Sequence, residues 1–189
     1  SADLVKEKKT IIEEINMRED DPQIAVLDLW EELLYGDQPA GWPVIGEKEI
    51  VMAISRQDLF GHLRNFFVGE NSLIAIAGNF EEKEARLKIE KNLTGLVRDQ
   101  KKPKSKVEEK QSRSSFISRF KETDQTHLCL GVRGFDAFSP RRRVLDLMAA
   151  ILGGMMSSRL FIEVREKRGL AYYLRTFSEN YTDTGYLVT

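Results

Sequence analysis

The sequence predicts an α+β fold, and three observations carry the prediction. Stretches with apolar residues at helical spacing alternate with short aromatic and β-branched runs suited to strands. Helix starts and stops are marked by Asp, Ser, Pro and Gly where caps belong. The 189 residues are 41% apolar, enough to bury a core in one large domain or two small ones. No tandem repeat is visible at the level of residue identity.

Taken in order, residues 2–19 read as a helix in which Leu4, Ile11 and Ile15 fall within one narrow arc. Glu7 and Glu14 lie two turns apart on one face, bordering that stripe. Asp21 and Pro22 then stop this helix and start a second, the one as N-cap and the other in the first turn. The second helix, carrying Ile24, Leu27, Trp30, Leu33 and Leu34, has the composition of a core helix and ends at Gly36. Residues 36–47 form a turn-rich loop. Ser55 and Asp58 mark the start of a third helix, with Leu59, Leu63, Phe66 and Phe67 as its apolar face.

Residues 73–77 are predicted to form a central strand, and residues 81–93 a surface helix with Ala85, Leu87, Ile89 and Leu93 inward. The run 98–115 is rich in Lys and Arg with almost nothing apolar, the composition of a solvated linker, and is taken as a domain boundary. Beyond it, residues 116–121 and 127–132 read as strands, and Ser139 with Pro140 starts a helix with a broad apolar face. Gly153 and Gly154 end that helix. Ser157 or Ser158 caps a short amphipathic helix bearing Leu160, Phe161 and Val164, which Gly169 closes. Residues 170–177 are expected as a strand, with 186–188 pairing back on it through a turn at 180–185.

Composition excludes several functions. The 29 basic and 30 acidic residues leave a formal charge of −1, so no global field recruits nucleic acid or an anionic membrane. No run reaches the length of a membrane span, and no signal peptide opens the chain. Cys129 is the only cysteine, which rules out an internal disulfide and a cysteine-rich zinc module and reads as a core residue. The compartment is not legible, cytoplasm being the default for a soluble chain. The start at Ser1 and the stop within an apolar run at 187–189 read as a piece of a longer protein.

Local motifs give no complete active site. His62 and His127 have no second histidine at ligand spacing, and neither a GxSxG elbow nor a phosphate loop occurs. Glu7 and Glu14, read from spacing alone, are either a solvated helix edge or carboxylates aimed into a cleft. Arg165 and Tyr172 flank a helix-to-strand turn: one is a permanently charged fork, the other a phenol able to donate to a developing oxyanion. On residue type alone they are a surface arginine and a half-buried tyrosine.

The stretch SSRLFIEVREKRGLAYYLRTFS resembles the signature in the second half of the pitrilysin/insulinase zinc metallopeptidase family, which includes mitochondrial processing peptidase. EKKTIIEEINMREDDP resembles the helix that follows the zinc motif in that family, and YGDQPAGWPVIGEKEIVMAISRQDL with NSLIAIAGNF resembles its loop, helix and strand in the same order. The resemblance implies two incomplete half-domains of the processing-peptidase-like fold, antiparallel sheets packed with helices: residues 1–97, a linker over 98–115, and residues 116–189. It implies zinc-dependent hydrolysis of a peptide or unfolded polypeptide. By the same resemblance Glu14 is a zinc ligand, Glu7 a supporting acid, and Arg165 and Tyr172 the pair that closes on the substrate backbone. The inverted H-x-x-E-H motif that supplies two histidine ligands and the general base is absent, so this fragment is expected to be inactive alone and to hold no zinc. Incomplete sheets expose edges, which makes a homodimer or a partner subunit an expectation. Two other readings stand beside the peptidase: a family member acting as a structural or partner subunit, and an unrelated α+β interaction module. Retention of both residue pairs favours the peptidase, because a subunit without chemistry has no need of them.

Overall fold

A computed structural model describes residues 2–95 and 102–189. It contains helices and one small antiparallel sheet, so the predicted α+β class holds. The chain divides into two compact units, Ser1–Glu13 with Glu47–Ser105, and Glu14–Gly46 with Lys106–Thr189.

The helices follow their caps. Helix α1 (Ala2–Asp20) runs through the division at Glu13. Helix α2 (Pro22–Tyr35) starts where the Asp21 carboxylate accepts from the backbone N–H groups of Gln23 and Ile24, at 2.9 and 3.3 Å. It stops at Gly36, whose φ of 67° admits glycine readily. In the first unit, the short α3 (Lys48–Ala53) follows the turn-rich loop; it buries Val51, and the Lys8 ammonium donates to the Met52 carbonyl at 2.6 Å. Helix α4 (Arg56–Phe66) begins with the predicted capping box between Ser55 and Asp58. Its expected apolar face is exposed, Leu59, Leu63, Phe66 and Phe67 alike. On α5 (Glu82–Asn92), Ala85 and Ile89 turn inward to a groove shared with Ile74 and Ile76, whereas Leu87 faces outward.

The second unit is built around a three-stranded sheet in the order β1 (Gly131–Arg133), β3 (Gly185–Val188), β2 (Phe177–Asn180), every pair antiparallel. Side chains alternate along β3. Tyr186 and Val188 join Trp30, Leu34 and Tyr35 of α2, while Leu187 joins Leu145 and Ala149 of α6 (Arg142–Gly153). The central strand is therefore covered on both faces, which is why all four of its residues are buried.

A polar network joins α2 to the sheet. One oxygen of Glu31 accepts hydrogen bonds from the hydroxyls of Tyr181, at 2.7 Å, and Tyr186, at 2.8 Å. Burial first, and the bond to Glu31 second, hold both phenols well above their ordinary value. Arg133 donates to the Leu34 carbonyl, and its Nη1 lies 3.5 Å from Glu109 Oε1, an ion pair without hydrogen-bond alignment. Half-buried Cys129 packs against the α2 cluster, and burial pushes its thiol up to about 11.

Several expected features are absent, with a common cause. Residues 73–77 and 116–121 form no strand, 127–132 contributes only its last two residues to β1, and 170–177 contributes only Phe177 to β2. Leu73 is 94% exposed. A ladder needs two chain segments side by side, and among the described residues no partner strand runs along these stretches. The outer face of α6 is likewise open at Val144 and Leu147.

The charged run behaves differently from its composition. Residues 98–101 lie outside the described residues. Val107, however, packs on the α2 cluster and donates its N–H to Asp183 at 2.9 Å, and Glu108 exchanges hydrogen bonds with Gln38 at 2.9 and 3.1 Å. Glu109 accepts from Thr184 at 2.8 Å. Residues 107–109 are pinned at every position, so they are part of the second unit rather than a solvated tether.

Candidate functional site

The best-defined candidate is the loop between α6 and β2. Its two ends meet where the Thr176 N–H donates to the Gly153 carbonyl at 3.1 Å. A Cβ on Gly153 would stand 2.2 Å from the Thr176 hydroxyl oxygen, so this closure requires glycine. Ser158 is buried, but its hydroxyl has no hydrogen-bond partner among the described residues and does not provide the expected cap.

The short helix that follows is wound unusually. Phe161–Glu166 is π-helical, with the Lys167 N–H reaching back five residues to Ile162 at 2.9 Å. Phe161 is buried, and Leu160 and Val164 are half-buried, as their spacing predicted. Lys167 donates to Glu163 at 2.5 Å, and that bond, ahead of the ammonium charge, lowers the Glu163 carboxyl below its usual range. The helix ends at Gly169, whose φ is 61°; its N–H bonds Arg165 and that of Leu170 bonds Val164, each at 3.0 Å. This reversal folds the chain back over the helix.

The reversal brings Arg165 and Tyr172 together. The guanidinium carbon lies 4.7 Å from the centroid of the Tyr172 ring and 4.8 Å from that of Phe161. Tyr172 is 82% exposed and lies in irregular chain before β2, not on the strand paired with β3 as expected. Stacking on rings uses the faces of a guanidinium; its N–H groups lie in the plane and are not consumed by it. The arrangement presents planar hydrogen-bond donors beside an accessible phenol, which suits recognition of a carbonyl or carboxylate.

Glu7 and Glu14 are both exposed on α1, Glu7 in the first unit and Glu14 in the second, which also holds Arg165 and Tyr172. Among the described residues no group of three or more His, Cys, Asp or Glu could hold a metal ion. A structural zinc takes four ligands and a catalytic one at least three from protein. The donor set of the described residues therefore does not fit a zinc centre by itself. No helix among the described residues is long and apolar enough to cross a membrane.

Sequence reasoning missed Phe161 as anything but a core residue. The available signal was its spacing, four residues before Arg165, which brings an aromatic ring beneath a cation on any helix.

Comparison with known proteins bears on the family and the fold. An uncharacterized zinc protease of Bacillus subtilis, YmxG, is 34% identical over 185 residues, covering 98% of this chain and 44% of that protein. The chain thus spans less than half the length of this relative. Among solved structures, the peptidase M16 inactive domain from Pseudomonas fluorescens superposes with a TM-score of 0.80 at 22% identity, over 100% of this chain and 46% of that one. A protease from Helicobacter pylori gives 0.79 at 18% identity, over 100% and 47%. These two likenesses carry the fold. Residues 53–189 match the peptidase M16 inactive domain, and the chain belongs to the M16 peptidase family.

Proposed function

We propose that this chain supplies the substrate-clamping loop of a zinc-dependent endopeptidase. The observation that carries the proposal is the Arg165 guanidinium stacked on the exposed Tyr172 ring. In this reading the in-plane N–H groups of Arg165 hold a carbonyl of an extended peptide. The Tyr172 phenol donates to the oxygen on which charge develops during hydrolysis. Glu14 is one carboxylate ligand to zinc and Glu7 a supporting acid; the remaining ligands and the general base come from parts of a longer protein. A zinc ion completed by those other ligands would supply Lewis-acid chemistry to that centre. The division into half-domains at 1–97 and 116–189 belongs to the same reading, as does pairing with a second copy or a partner subunit. The 189-residue chain, which carries no H-x-x-E-H motif, is inactive on its own.

The test is kinetic and uses the full-length protein with an internally quenched peptide. Tyr172→Phe lowers kcat by about 10²-fold, the order seen on removing one oxyanion donor, with a smaller change in KM. Arg165→Lys keeps the charge, loses the fork and lowers kcat/KM. Unchanged kcat in both variants refutes the assignment, and a wild-type protein with no peptidase activity under zinc supports the structural-subunit reading instead.

A further inference from the structure

Arg165 has a long side chain with several rotatable bonds, and Tyr172 sits in chain that no ladder holds. Something must fix both if they are to meet a substrate in one geometry. Of the three stacked groups only Phe161 is anchored, being 9% exposed with its ring against Arg165. The backbone supports this role. A turn closed by bonds to the fifth residue back is wound more loosely than an α-turn, so residues four apart come close to the same azimuth. The π-helical segment spans Phe161 to Glu166 and therefore includes both Phe161 and Arg165. The Gly169 reversal then carries Tyr172 to the same guanidinium. The stack runs from the core outward: buried ring, cation, exposed phenol.

We infer that Phe161 is a positioning residue, whose buried ring orients the Arg165 guanidinium and, through it, the Tyr172 phenol. The inference rests on the clamping role proposed above and adds a requirement to it. Residue 161 must present a π face, not only fill volume. A core residue that merely packs is replaced by methionine at little cost, because volume and apolarity are conserved. A platform is not.

The experiment compares Phe161→Met, Phe161→Tyr and Arg165→Lys in the full-length protein, with melting temperature, kcat and KM on an internally quenched peptide. Arginine selectively labelled with carbon isotope reports the Arg165 methylene protons by NMR. In the wild type those protons lie upfield of ordinary arginine, from the ring currents of two aromatic faces. Phe161→Met moves them toward the ordinary position and lowers kcat about 10²-fold, the scale expected when a reacting group is misplaced by an ångström, with KM little changed. Phe161→Tyr keeps the face, and with it the shift and the rate. Wild-type protons at ordinary positions overturn the inference, whether or not any variant folds. So does a Phe161→Met protein with wild-type kcat when Arg165→Lys is impaired. If Arg165→Lys itself retains full kcat, the clamping role fails, while the NMR shift still decides whether Phe161 holds the side chain.

Discussion

Glu31→Ala tests whether the tyrosine network holds the second unit together. The substitution leaves the Tyr181 and Tyr186 hydroxyls without the oxygen they share, at 2.7 and 2.8 Å in the native protein. Tyr186 is 4% exposed and has no access to replacement water, whereas Tyr181 is half-buried and has some. Hydrogen bonds to a charged acceptor contribute about 1.5–3 kcal/mol, and a buried donor left unpaired costs about 1–3 kcal/mol. Discounting Tyr181 for solvent, the expected loss is about 2–4 kcal/mol. Glu31→Gln keeps a neutral acceptor in place and loses about 1 kcal/mol. Urea unfolding followed by tryptophan fluorescence is the assay. Both tryptophans, Trp30 and Trp42, belong to the second unit, and Trp30 packs edge-on against Tyr186 at 6.0 Å, so the signal reports this unit alone. With a slope near 2 kcal/mol per molar urea, the midpoint falls by about 1–2 M. In the Glu31→Ala background Tyr186→Phe becomes nearly neutral, because both partners are then gone. A midpoint shift below about 0.3 M, or a Tyr186→Phe effect that is the same in both backgrounds, refutes the reasoning.

Two further outcomes follow from the same structure. The phenols of Tyr35, Tyr181 and Tyr186 are all raised, principally by burial, so the native state keeps their protons at a pH where unfolded tyrosines ionise. Their contribution is present in full below about pH 10 and is lost as pH rises beyond it; a urea midpoint that falls steeply there, less so in Tyr186→Phe, is expected, and a flat profile from pH 9 to 11 contradicts it. Titration calorimetry of the 189-residue chain with zinc gives no one-to-one binding, because Glu14 is a single exposed carboxylate; tight stoichiometric binding abolished by Glu14→Ala would overturn this.

What the sequence makes legible is what local chemistry decides. Asp21 with Pro22, Ser55 with Asp58, and Gly36 and Gly169 at positive φ all mark their helix ends correctly, because a cap needs only its own turn. Strands depend on a distant segment. Residues 73–77 and 116–121 have strand composition and no ladder, while β3 is found because its hairpin partner is five residues away. The run at 107–109 misleads for the opposite reason. Its charges suggest water, yet Glu109 and Val107 have partners more than seventy residues off. Of the site, Arg165 and Tyr172 are legible as residue types and as a resemblance, but their stacking depends on π winding that no residue pattern announces.

The closure of α2 against β3 also sets a clock. The carboxylate of Glu31 waits for hydroxyls 150 and 155 residues downstream, and the same strand covers Trp30 and Leu34. At synthesis rates of 5–20 residues per second, the apolar side of α2 is in being for roughly 8–30 s before Tyr186 exists to cover it. During that interval the nascent chain presents a helix whose apolar side lacks the strand that covers it, the state in which chaperones capture proteins and in which neighbouring chains on one message associate.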